Sequence, residues 1–86
     1  MEAAPRDWLI ALGRALREAR LERGLSQMIL GNRSDTSTNY VGGIERGERC
    51  PTVEKIAVLA AALDLALDDL FCRAAELLPG RPSRTA

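Results

Sequence analysis

The side chains in this sequence that could do chemistry are few and badly arranged for catalysis. The chain has no histidine, and its only thiols are Cys50 and Cys72. Neither cysteine has a base beside it, and two cysteines make neither a metal-ligand cluster nor a disulfide framework. Asp68 and Asp69 pair by adjacency alone, because successive helical residues point about 100° apart. They read as solvated helix surface. No enzymatic activity, metal or cofactor is therefore expected. What remains is hydrogen-bonding chemistry, concentrated in the hydroxyls and carboxamide of Ser37-Thr38-Asn39-Tyr40 and in Arg33, Arg46 and Arg49 nearby. A carboxamide donates and accepts at once, and a guanidinium fork matches planar acceptors two bonds at a time.

These residues need a framework, and residues 26–47 supply one. Ser26 can cap a helix by accepting from a free backbone N–H, with Leu30 as that helix's inward anchor. Ser34-Asp35-Thr36 breaks the pattern, since such side chains bond their own backbone and favour turns. Asp35 falls where the chain bends hardest, and Asp tolerates a left-handed conformation better than most residues. Ser37 is the next cap, Val41 and Ile44 share one inward face, and Gly47 suits the left-handed stop. Two short helices joined by a tight turn are a helix-turn-helix.

This stretch resembles the Cro/phage-repressor type of helix-turn-helix, also called the xenobiotic-response-element family. The resemblance is carried by Leu25-Ser26-Gln27, Leu30, YVGGIERGER at 40–49 and Pro51-Thr52, and with flanking helices it covers roughly residues 8–72. YVGGIERGER is most like short members, among them restriction–modification controller proteins. The resemblance implies an all-α, compact five-helix bundle of the lambda-repressor-like DNA-binding type, in which helices 2 and 3 form the helix-turn-helix. It also implies a partly buried ion pair between Arg20 and Glu45, with a plain surface charge as the alternative for Arg20, and a phosphate held by Gln27 and the start of helix 2. Four positions depart from it. Gly31 replaces a usual alanine, Met28 and Ile29 replace polar residues, and Asp64 replaces a common glycine.

Composition neither demands nor forbids this reading. Eighty-six residues allow one domain with a small core, which must be aliphatic because Trp8, Tyr40 and Phe71 are the only aromatics. Net charge is zero, with 12 basic and 12 acidic residues. Attraction to DNA is thus expected to be modest and local, from arginines near the motif. No apolar run approaches the roughly 18 residues that cross a membrane, and no secretion leader is expected. Free thiols then suit a reducing bacterial or phage-host cytoplasm.

Helix 1 is expected from Arg6 or Asp7 to Arg23, with Leu9, Leu12, Leu16 and Ala19 as its apolar face and Gly24 as its stop. Helix 2 spans Gln27 to Arg33 and helix 3 Thr38 to Arg46. Thr52 caps helix 4, from Val53 to Leu63, which buries Ile56, Leu59, Ala60 and Leu63. Helix 5 runs from Ala66 or Leu67 to Leu78, with Leu67, Leu70 and Phe71 matching the family's terminal packing element. The domain is set at residues 6–78, with flexible termini at 1–5 and 79–86.

In a helix-turn-helix the second helix enters the major groove. Asn39 is the best base reader and Thr38 a second. Gly42 and Gly43 cost roughly 1 kcal/mol each in a helix interior. They read either as relief of crowding or, the reading adopted here, as a bare face that lets backbone approach the bases. Direct readout is then sparse, which leaves more to DNA shape. Arg33, Ser37, Arg46 and Arg49 are phosphate candidates beside Gln27. Tyr40 could reach the backbone through its hydroxyl, or simply pack half-buried.

One such domain reads few base pairs, so a homodimer on a palindrome is expected, with recognition helices about 34 Å apart. Leu67, Leu70, Cys72, Leu77 and Leu78 are the expected dimer surface, joined by the end of helix 4. For Leu67 and Leu70 a place in the monomer core is an equal alternative. The expected function is a dimeric, sequence-specific transcription regulator of double-stranded DNA, in its sharper form a restriction–modification controller. A small phage-type repressor or an antitoxin fits nearly as well, and RNA polymerase is a further candidate partner. A protein-interaction module that binds no DNA is the alternative of another class, and zero net charge favours it slightly.

Overall fold

The computed structural model describes residues 3–79. Within them lie α1 (Pro5–Glu22), α2 (Gln27–Arg33), α3 (Thr38–Glu45), α4 (Val53–Ala62) and α5 (Leu67–Glu76). No strand is present among the described residues, and none of their helices is long and apolar enough to cross a membrane.

Helix ends follow from local chemistry. Pro5 takes the first position of α1, where a missing N–H costs nothing. The Ala4 N–H donates to the Asp7 carboxylate at 3.1 Å, which closes the turn before Arg6, where spacing alone would start it. Ser26, Ser37 and Thr52 each accept a backbone N–H at 3.1 Å, from Ile29, Tyr40 and Lys55. Arg23, Arg46, Leu63 and Leu77 are C-caps rather than last helical residues, so α1, α3, α4 and α5 stop one or two residues short of expectation. The chain then turns left-handed at Gly24 (φ 70°) and Gly47 (φ 75°), and also at Asp35 (φ 55°) and Asp64 (φ 56°). The expected tail at 79–86 lies, apart from Pro79, outside the described residues.

The core is aliphatic, as the shortage of aromatics requires. Leu16, Leu30, Ile44, Ile56, Leu59, Leu63 and Leu70 are its largest fully buried side chains, and they come from all five helices or their caps. Removing a side chain of this kind down to alanine typically costs about 2–5 kcal/mol. Helix α1 is the central element, packed on α3 and α5, while α2 bridges α3 and α4.

Two polar ties fix the far end of α1. Arg23 Nε donates to the Leu63 carbonyl at 2.8 Å, which satisfies an end of α4. Arg73 donates through both terminal nitrogens to the Glu22 carboxylate, each at 3.0 Å. Those bonds hold the Glu22 carboxyl below its usual range and raise the Arg73 pKa in return. From the sequence, Glu22 is indistinguishable from its solvated neighbours.

Candidate nucleic-acid interface

The second motif helix, α3, is held from behind by its own inward face. Val41 and Ile44 are buried at 0% and 1% exposure. Gly13 of α1 faces the last turn of α3 so closely that an added Cβ would run into the Ile44 carbonyl oxygen and lie 2.8 Å from that of Glu45. Only glycine lets the two backbones meet here. A glycine inside an otherwise strongly helix-forming α1 was the available signal for this contact, because it gives up about 1 kcal/mol of helix propensity.

Beside that contact, Arg20 and Glu45 form a two-bonded pair, Nε to Oε2 at 2.7 Å and Nη2 to Oε1 at 2.9 Å. Their side chains are 8% and 2% exposed. A third Arg20 bond, from Nη1 to the Leu25 carbonyl at 2.8 Å, ties the pair to the α1–α2 loop. The bond to Glu45 pushes the Arg20 pKa up, against the opposing effect of burial. Every buried side-chain polar atom among the described residues has a partner, which is what a buried ion pair requires if it is not to cost more than it returns.

Glu45 has one more donor. Gln27 Nε2 reaches Glu45 Oε1 at 3.0 Å. The amide assigned to a phosphate by resemblance therefore has one N–H committed inside the protein and a second left to give. The turn between the motif helices is equally close-packed. A Cβ on Gly31 would collide with the Thr36 carbonyl oxygen, so glycine rather than alanine suits this α2–α3 approach. Lys55 Nζ donates to Thr36 Oγ1 at 3.0 Å, a tie from α4 to the turn that spacing along the sequence does not reveal.

The outward face of α3 starts at Ser37, whose hydroxyl is engaged as the cap. Thr38 and Asn39 are exposed beyond it, while Tyr40 is half-buried against the core. Arg33, Arg46 and Arg49 are exposed. The two glycines correct an expectation. Gly42 and Gly43 are not an open strip of backbone; both are buried. A Cβ on Gly42 would lie 2.9 Å from Arg46 Nη1 and 3.3 Å from Gln27 Oε1, and one on Gly43 would lie 2.6 Å from Arg49 Cγ. Arginine side chains from further along the chain cover the space that was assigned to DNA. Arg46 is also paired, through Nε to Glu48 Oε1 at 3.0 Å.

A family model for the helix-turn-helix matches residues 16–70. The chain belongs to the Cro/C1-type helix-turn-helix family. Members of this family are DNA-binding regulators, and α2 and α3 are the motif in this one. Among solved structures, the chain is similar to the restriction–modification controller protein C.AhdI from Aeromonas hydrophila. The two are 44% identical, with 72% of this chain and 90% of that one covered and a TM-score of 0.71. It is also similar to the clp gene regulator ClgR from Corynebacterium glutamicum, at 30% identity, 86% and 96% coverage and a TM-score of 0.82. The controller protein C.Esp1396I, solved as a tetramer with its natural 35 base-pair operator, shares the fold at 24% identity, 83% and 93% coverage and a TM-score of 0.76. Comparison with curated protein sequences gives no match.

For a regulator of this family the remaining question is which surface is spare, and here the structure again corrects the sequence. Leu78, expected between subunits, is in the monomer core at 6% exposure, and Leu70, for which core and subunit contact are equal alternatives in the sequence, is there at 0%. The reason is rotation. Ala74 and Leu78 follow Leu70 at four-residue intervals, so one stripe of α5 and its cap faces α1. Leu67 and Leu77 are half-buried against the same core, and Cys72 is exposed. Large apolar side chains are left open on α1 and α2, among them Leu21 and Met28, and on α4, where Val53 is 69% and Val58 41% exposed and Ala61 is also open.

Proposed function

We propose that this protein is a restriction–modification controller that binds a palindromic operator as a homodimer and regulates transcription from it. The observation that carries the reading is the 44% identity to C.AhdI over 90% of that protein. The outward face of α3 supports it. Thr38 and Asn39 are open for base edges, while Arg33, Arg49 and the spare N–H of Gln27 flank them for phosphates. A single copy offers too few such contacts for a useful site, which is the physical case for two.

The second copy is assigned to the outer face of α4. Between Lys55 and Asp64 the sequence has no polar side chain at all, yet Val58 and Ala61 point away from the core. A helix that is apolar all round belongs in an interior. The half-buried Leu65 and Leu67 continue this surface across the α4–α5 turn. Of the two leucines open to either place, Leu67 is thereby assigned to the subunit contact, and the buried Leu70 is not.

Light scattering on the protein alone, followed by titration with DNA from upstream of its own gene, tests both halves. The expected result is a dimer that loads as a pair on that DNA. Val58→Asp should return the protein to a monomer and abolish tight binding. Two arginines per protomer at phosphates, Arg33 and Arg49, predict a salt slope of log affinity near roughly −4 for the dimer. A monomer indifferent to the DNA at low salt would overturn the proposal in favour of a protein-interaction module.

A further inference from the structure

The outward face of α3 carries side chains that start elsewhere. Asn39, Gly42 and Arg46 lie three and four residues apart, on one line along the helix. Side chains on a helix lean toward its N-terminus and cover the turn before their own. Arg46, still in right-handed geometry at φ −87° and ψ −2°, leans in that way. Its Nη1 lies 2.9 Å from where a Gly42 Cβ would be, so the guanidinium sits one turn closer to Asn39 than Arg46's own backbone does. Arg49 arrives by another route. After the left-handed Gly47, the N–H groups of Glu48 and Arg49 donate to the Gly43 carbonyl at 2.9 and 3.2 Å. That fold-back lays the stem of Arg49 against Gly43, with Cγ 2.6 Å and Nε 3.5 Å from the missing Cβ.

We infer that Gly42 and Gly43 are seats for Arg46 and Arg49, and that Arg46, so seated, is a specificity-determining residue that reads a guanine edge in the major groove. The inference rests on the operator-binding reading above and deepens it. Phosphates border the groove, whereas the N-terminal part of the recognition helix, toward which Arg46 leans, meets the base edges. A guanidinium fork fits guanine O6 and N7 together, and both terminal nitrogens of Arg46 stay available because Glu48 takes only Nε. The Arg46 and Glu48 side chains are each 60% exposed, so their pairing is weak in water and easily exchanged for a base. The diglycine then adds to direct readout, because a longer and better-forked side chain occupies the place where a short helical one would stand.

Gly42→Ala is the discriminating variant. Alanine favours the helix, and the atoms it presses on, Arg46 Nη1 at 2.9 Å and Gln27 Oε1 at 3.3 Å, are the far ends of side chains, so the variant folds. Relaxation of the Arg46 Nε–H in the free protein should report an ordered side chain in the wild type and one as mobile as Arg33 in Gly42→Ala. Affinities for the upstream DNA and for duplexes with single base-pair changes then test the reading itself. Arg46→Ala should lose roughly 10- to 100-fold on the native sequence and become indifferent to one G·C pair. Gly42→Ala should relax preference at that same pair and add nothing in the double variant. Uniform weakening of all sequences by Arg46→Ala, or unchanged preference in Gly42→Ala, would overturn the guanine contact while leaving the operator reading intact. A wild-type protein that discriminates no sequence would overturn the operator reading and the guanine contact together, and the Arg46 relaxation would still decide the seat.

Discussion

The two sides of α3 are built on opposite principles. Behind it, backbone meets backbone at Gly13, and Glu45 accepts from Arg20 twice and from Gln27 once in nearly dry surroundings. In front, the same helix shows bare glycines covered by arginines, one of them in an exposed pair with Glu48. Groups at the rear cannot move without stranding a buried charge or parting two close-packed backbones, whereas those in front exchange one watery partner for another at little cost. A helix that must enter a groove at a fixed angle, yet adapt its side chains once there, needs both.

Substitutions at the rear should therefore damage stability and binding together, and those in front should separate the two. The largest effect is expected for Glu45→Ala, which strands the Arg20 guanidinium inside the protein. It should cost about 3–5 kcal/mol in chemical denaturation, and retention of wild-type stability would break the contrast. Gly13→Ala comes next, because its methyl group must push α1 off the end of α3, at about 1–3 kcal/mol. A crystal structure of this variant should show the two helices further apart. Asn39→Ala belongs to the front. Its denaturation midpoint should stay within about 0.5 kcal/mol of the wild type, while operator affinity falls roughly tenfold or more. A variant equally impaired in both would mean that Asn39 supports the fold.

The smallest effect lies away from both faces, in the Glu22–Arg73 pair. The folded carboxyl titrates below its unfolded value, so its contribution is complete above the ordinary Glu range near pH 4.3 and is lost as pH falls through the lowered value. The stability difference between wild type and Glu22→Gln should thus be present at pH 7 and vanish in strong acid. A difference that persists there would assign the pair's effect to packing instead.

Local features of the fold were legible in the sequence. Ser26, Ser37 and Thr52 announce three helix starts, and Gly24, Asp35 and Gly47 announce left-handed turns, because capping and turn chemistry act within a few residues. Thr38 and Asn39 were legible as an open polar face for the same reason. What escaped depends on distance along the chain or on rotation about a helix axis. Gly42 and Gly43 read as empty because their covering side chains start four and six residues later, the second beyond a reversal at Gly47. Leu70 is ambiguous in the sequence, and Leu78 reads as outward, because the apolar stripe of α5 is long enough to suggest two partners, whereas α1 takes most of it. The end of α4 was legible as a spare apolar surface. A helix without polar side chains in its second half leaves no ordinary way to meet water.

The bonds at the far end of α1 bear on how the molecule comes apart. Arg23 and Glu22 reach the Leu63 carbonyl and Arg73, partners 40 and 51 residues along the chain. The last turn of the first helix is thereby fastened to both of the final helices. Because α5 also packs its apolar stripe on α1, releasing α5 loosens the end of α1 that carries Arg20 toward α3. Amide hydrogens in α1 and α5 should then exchange with solvent in one cooperative event, in step with those of the recognition helix.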